Sequence, residues 1–151
     1  MWKKGVRILT EQKTHIATIL ANLRHTSSGY DLLRYVGLPD MLGKDAGIIL
    51  YVLGKNLARK AECESFEELF EFFLHSGWGE LQLVHEKRKK YIFELSGDII
   101  QSRLATFENI DFQIELGFIA ETITRITDTS CECTSEIKKG QVLLHAILHV
   151  D

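Results

Sequence analysis

Cys131, Cys133, His145 and His149 are the residues whose types most directly suggest chemistry. Thiolate sulfur and imidazole nitrogen are zinc ligands, and a zinc site requires them all within about 2.0 to 2.3 Å of one point. Strand register decides whether they meet. A two-residue turn at Lys139 and Gly140, with Gly140 free to take positive φ, pairs Ile137 with Val142 and sets Cys131 and Cys133 beside Ala146 and Leu148. His145 and His149 then lie on the opposite face, beside Thr134 and Ser130. A three-residue loop would oppose Cys133 to His145, but it would also set the apolar row Val142, Leu144 and Leu148 against the polar row of the preceding strand. Burial favours the first register, so no metal site and no metal cofactor is expected, and the cysteines read as small core residues.

Other reactive side chains form no constellation. His15, His25, His75 and His85 are scattered, without a Cys, Ser and carboxylate arrangement of nucleophile and base. Glu67, Glu68 and Glu71 read as the wet face of a helix, and no catalytic residue is expected. The basic run Lys87, Arg88, Lys89 and Lys90 falls at a hairpin tip with no aromatic stacking platform beside it, which is the pattern of a solvated turn. The aromatic residues are the remaining candidates. Tyr30, Tyr35, Tyr51, Trp78, Phe93 and Phe118 could line an apolar cavity, with tyrosine hydroxyls or the indole N–H orienting a ligand, or serve as plain core.

The elements that must position these residues are read from hydrophobic rhythm. At 151 residues and 45% hydrophobic, the chain is one domain's worth and can bury a core without staples. A net charge of -3 and a pI near 6.1 exclude a global basic field for gathering nucleic acid or anionic membrane. The longest apolar run, residues 46–53, falls far short of the roughly 18 to 20 residues that span a bilayer, so no membrane insertion is expected. Residues 1–10 lack the pattern of a secretion signal and the cysteine count is odd, so a cytoplasmic, reducing setting is expected.

Ile16, Ile19, Leu20 and Leu23 form a helical stripe, and Ser28 with Asp31 suggests a capping box for a short helix that Gly37 stops. Pro39 is placed in a rigid turn. In residues 45–60 the apolar side chains Ile48, Ile49, Leu50, Tyr51, Val52 and Leu53 surround the axis, which predicts a central helix enclosed on several sides. Ser65 and Glu68 open the next helix, which ends at Gly77. At Gly77, Trp78 and Gly79 the rhythm changes to strand-like alternation through Leu81, Leu83, Tyr91, Phe93 and Leu95. A short helix over 99–104, a long one capped by Asp111, and a second hairpin over 129–137 and 142–150 complete the chain. The sum is an α+β domain, with helices on one face of a roughly four-stranded antiparallel sheet built from two hairpins.

Several blocks at compatible spacing carry a resemblance: Leu38-Pro39-Asp40-Met41-Leu42-Gly43, Gly54-Lys55-Asn56-Leu57-Ala58-Arg59, Gly77-Trp78-Gly79, Phe93-Glu94-Leu95-Ser96-Gly97 and Gly117-Phe118-Ile119-Ala120. They resemble the YslB family of small bacterial proteins, from about residue 28 to 150, with 1–27 a less securely matched helical extension of a single 1–151 domain. More remotely, the Gly-Trp-Gly junction, the Gly117 block and the final hairpin look like the 4-vinyl reductase domain. That places the chain near a superfamily that includes haem-based nitric oxide sensors and Golgi transport-particle subunits. The resemblance implies a cavity between helices and sheet that in different members holds haem, an acyl chain or a small aromatic compound. The sensors' Tyr-x-Ser-x-Arg arrangement is absent, since Gln101, Ser102 and Arg103 lack the tyrosine, so haem is not expected. Vinyl reductase domains carry cysteines on both strands of the last hairpin, whereas this chain has Cys133 before the turn and Leu144 after it. A fold and a pocket, not one activity, follow from such kinship. The expectation is a non-enzymatic cytoplasmic binding module for a small hydrophobic ligand. The alternative is a structural or interaction protein with a closed pocket, and a homodimer is expected by analogy with superfamily members.

Overall fold

The computed structural model describes residues 28–150. The first described segment is helical almost throughout: α1 (Ser28–Leu32), a π-helical turn (Leu33–Gly37), α2 (Leu38–Leu42) and a 3-10 turn (Gly43–Asp45). Gly37 therefore does not stop the helix as expected. It keeps a helical φ of -67°, and the path bends only at Gly43, where φ is +65°. Arg34, within the π turn, is buried. Pro39 occupies the first turn of α2, where its missing N–H removes no helical hydrogen bond. The Asp31 carboxylate accepts from a buried arginine, Arg103, and the Ser28 side chain of the expected capping box is not among the described ones. The Ile16 to Leu23 stripe lies outside the described residues.

Helix α3 (Ala46–Ala61) ends at Glu62 in the left-handed region, and α4 (Phe66–His75) follows. At the start of α4 the Ser65 hydroxyl accepts from the Glu68 N–H at 3.2 Å, and Glu68 accepts from the Glu64 N–H at 2.6 Å. Its end is a Schellman turn. Gly77, at φ +71°, donates to the Leu74 carbonyl, and Trp78 donates to that of Phe73 while its indole meets the Phe73 ring edge-on at 5.2 Å. Gly79, at φ +125°, leaves no room for a side chain, because a Cβ there would lie 2.9 Å from Ile100. The switch from helix to strand is thus built by both glycines.

Strands β1 (Glu80–Lys87) and β2 (Lys90–Ser96) form one hairpin, with a register shift at Val84. After α5 (Asp98–Thr106) and α6 (Gln113–Thr127), strands β3 (Cys131–Lys138) and β4 (Gln141–Leu148) form the other. The sheet order is β1-β2-β4-β3, antiparallel throughout. Its inner face carries Leu81, Phe93, Leu95, Val142, Leu144 and Ala146, all buried under the helices. The fold is the expected α+β arrangement.

The enclosed helix is α6, not α3. Residues 114–120 of α6 are buried on every side, between the sheet and α3. Helix α3 buries the narrow row Leu50, Gly54, Ala58 and Ala61 against α6 and leaves Ile48, Ile49, Val52 and Leu53 exposed. Both helices are apolar around their circumference, and the layer order decides which of them is covered.

Candidate functional site

The second hairpin adopts the apolar-in register: Cys131 opposes Leu148, Cys133 opposes Ala146, and Thr134 opposes His145. Lys139 and Gly140 both take positive φ, as a two-residue turn of the primed type demands. The thiols face the core and the imidazoles the other face, and no cluster among the described residues has the makings of a metal site.

The aromatic candidates fall into separate places. Trp78 and Phe118 meet edge-on at 5.5 Å, and Phe72 stacks on Phe118 at 4.2 Å. Phe93 packs instead with Phe66 and Phe70, at 5.9 and 6.3 Å, over the sheet. Tyr51 ties α3 to the edge strand β3: its hydroxyl donates to Glu132 at 2.6 Å and accepts from the Cys133 N–H at 3.1 Å. Lys55 joins the same carboxylate at 3.3 Å. Burial tends to raise the Glu132 carboxyl, but Tyr51 and Lys55 outweigh it and hold the group below the usual carboxylate range.

Tyr30 and Tyr35 belong to a different assembly, a buried polar cluster where α1, the π turn, the Gly-Trp-Gly junction, α5 and the first turn of α6 converge. Arg103 of α5 is 1% exposed and its guanidinium donates to three acceptors. Nε donates to Asp31 at 2.8 Å, Nη2 to the Gly77 carbonyl at 3.0 Å and Nη1 to the Trp78 carbonyl at 3.4 Å. Its guanidinium also lies over the Tyr30 ring, 5.5 Å from the centroid. Arg34, equally buried, pairs through Nη2 with Asp111, whose same oxygen accepts from the Gln113 N–H to cap α6. Tyr35 stacks at a tilt on Phe107 at 4.9 Å and donates to the Asp111 carbonyl at 3.3 Å.

Beside these hydrogen bonds lie buried polar atoms that have no partner among the described residues. Glu115 is fully buried, and neither carboxyl oxygen has a hydrogen-bond partner among the described residues. Arg34 Nε and Nη1 and the Tyr30 hydroxyl are likewise unpartnered there. Burial pushes the Glu115 carboxyl up to about 7, against the pull of Arg34 and then Arg103. Burial also raises the Tyr30 and Tyr35 hydroxyls, with Glu115 adding to it, so both stay protonated at neutral pH. An unpaired buried polar group costs about 1 to 3 kcal/mol, so the cluster lowers stability unless its free atoms find partners.

Arg34 and Glu115 were not singled out from the sequence. Glu115 did leave a signal: it stands three residues after Phe112 and three before Phe118, a carboxyl inside the apolar stripe of α6. Arg34 stands three residues after Asp31 and four after Tyr30, on the helix face those two share, but its charge argued for the surface.

Residues 27–147 match the family model described as Protein of unknown function (DUF2507). The Bacillus subtilis (strain 168) protein named Uncharacterized protein YslB is 42% identical over 120 residues, which cover 80% of this chain and 81% of that one. Among solved structures, a vinyl-4-reductase family protein from Methanocaldococcus jannaschii superposes with a TM-score of 0.66 at 18% identity, over 90% of this chain and 89% of its own. The phenol-responsive sensory domain of the transcription activator PoxR, solved with phenol, gives a TM-score of 0.53 at 13% identity, over 82% and 75%. The last two likenesses concern the fold, whereas the match over residues 27–147 and the YslB identity show kinship: the chain belongs to the DUF2507 family, together with YslB.

Proposed function

We propose that this protein is a non-enzymatic binding module that takes a small, largely hydrophobic ligand beside Tyr30, Tyr35, Trp78 and Phe118. One observation carries the reading: fully buried Arg34 and Glu115 keep hydrogen-bonding atoms without partners among the described residues, and Glu115 stands in the same buried run of α6 as Phe118. A domain evolved only for stability would gain by replacing them with apolar side chains. A phenol-responsive sensory domain shares the fold, which adds support of a general kind. Tyr51 and Phe93 belong elsewhere, to the clasp on β3 and to the core over the sheet. A cytoplasmic setting suits the three free cysteines, and no helix among the described residues is long and apolar enough to cross a membrane. Native mass spectrometry of protein purified from cells tests the reading. The expected result is a retained small molecule that organic extraction releases; protein of bare mass that also binds no added aromatic compound would count against it.

A second reading rests on the outer face of α1 to α3, where Leu33, Met41, Ile48 and Val52 are exposed. Such a patch suits an interaction surface, with a homodimer as the simplest case. Light scattering at micromolar concentration is expected to report a dimer that Val52→Glu dissociates, and a wild-type monomer would dispose of this reading.

A further inference from the structure

We propose that the ligand presents an uncharged hydroxyl to the buried cluster, donating its proton to Glu115 and accepting from Arg34 or Tyr30. The inference rests on the binding-module reading above and specifies the ligand's polar end. The charges narrow the choice. Arg103 is paired with Asp31 and Arg34 with Asp111, so Glu115 is the unbalanced member of the set. A carboxylate ligand would satisfy the free Arg34 N–H groups but bring a second unbalanced negative charge beside Glu115, in an interior that water does not screen. An ammonium ligand would meet Glu115 but leave Arg34 Nε and Nη1 without acceptors and face them with a like charge. A hydrocarbon would leave every one of these atoms unpaired.

A hydroxyl has one donor and two acceptor sites, so it can serve both kinds of unpartnered group at once: it donates to one Glu115 oxygen and accepts from up to two of Arg34 Nε, Arg34 Nη1 and the Tyr30 hydroxyl. Glu115 and Arg34 make no hydrogen bond to each other, which leaves both open to a third group. The flanking surfaces are rings, Tyr30 under Arg103, and Tyr35 between Arg34 and Phe107. They suit an apolar, preferably aromatic, body carrying the hydroxyl.

Calorimetric titration with one-ring probes that differ only in their polar end tests the proposal: phenol, benzyl alcohol, benzoate, benzylamine and toluene. The two hydroxyl compounds are expected to bind at least about tenfold more tightly than the other three. Glu115→Leu removes the acceptor and should bring the hydroxyl compounds down to the level of toluene. Glu115→Gln keeps the shape without the charge and should raise benzoate about tenfold relative to benzyl alcohol, a readout that survives if the leucine variant fails to fold. Equal binding of all probes, or preference for benzoate or benzylamine, overturns the hydroxyl assignment and leaves the binding module standing. No binding of any probe, with only protein mass in the native spectrum, overturns both.

Discussion

Gly54 on α3 and Gly117 on α6 bring two helices into backbone contact. A Cβ on Gly54 would lie 2.0 Å from the Ile114 carbonyl oxygen, and one on Gly117 would lie 1.9 Å from that of Tyr51. Each glycine therefore opens the space that the other helix's backbone fills. This contact seats α6 between α3 and the sheet, and so holds Glu115 and Phe118 at their depth.

Gly117→Ala and Gly54→Ala are each expected to destabilise by about 3 kcal/mol or more, because backbone atoms rather than a flexible side chain would have to yield. Urea unfolding followed by circular dichroism measures this. A loss below about 1 kcal/mol in either variant would show that the helices can part without penalty. The control is Gly47→Ala, where nothing lies within 4 Å and the change should be neutral or slightly stabilising.

Arg103 is the structural tie between α1, α5 and the Gly-Trp-Gly junction, since its three hydrogen bonds end on Asp31, Gly77 and Trp78. Arg103→Met keeps much of the bulk but strands a mostly buried carboxylate and two carbonyls. A loss of about 3 to 5 kcal/mol is expected, with Trp78 fluorescence shifting red as the junction loosens. A variant as stable as the wild type would reduce Arg103 to a passive filler.

Much of this fold is legible in the sequence where a local rule has a single outcome. Gly77 and Gly79 mark the change of rhythm, and both take positive φ. Lys139 and Gly140 demand a tight turn, and once that is granted the row Val142, Leu144 and Ala146 has only one register that buries it. The layer order was not legible, because α3 and α6 are both apolar around the axis and only the placement of α6 between α3 and the sheet makes it the enclosed one. The candidate site was half legible. Its aromatic residues stand out by type, but they disperse into four places, and Arg34 is a charged residue whose burial depends on an Asp111 partner far along the chain. Glu115 could have been noticed as a carboxyl within an apolar stripe. Its environment, however, is assembled from segments that lie far apart along the chain.

The cysteines offer a check on the core. Cys63, Cys131 and Cys133 are all buried and free. Burial pushes the Cys63 and Cys131 thiols up to about 11 and about 12, and that of Cys133 well above its ordinary value. Native protein at pH 8 is expected to react negligibly with an aromatic disulfide reagent, and unfolded protein to release all three equivalents. Fast reaction of one thiol in the native state would mean that α6 and the second hairpin separate far more readily than their contacts suggest.

Glu115 makes stability depend on pH with a definite sign. Burial raises its carboxyl from 4.5 in the unfolded chain to about 7 in the folded one, so folded protein holds this proton more tightly. Below both values the group is protonated in either state and its contribution is at its most favourable. As pH rises, the unfolded chain ionises first, and stability falls until the folded carboxyl ionises as well. The loss amounts to about 3 kcal/mol over that window and then levels off. Other carboxyls also titrate, so the measurement is the difference in unfolding free energy between wild type and Glu115→Gln, taken at intervals from pH 4 to 8. Wild type should lose ground to the variant steadily up to neutrality and hold a constant deficit above it. A difference that is flat with pH would mean that Glu115 stays ionised through contacts that stabilise its charge, and would remove the unsatisfied carboxyl on which the binding site is argued.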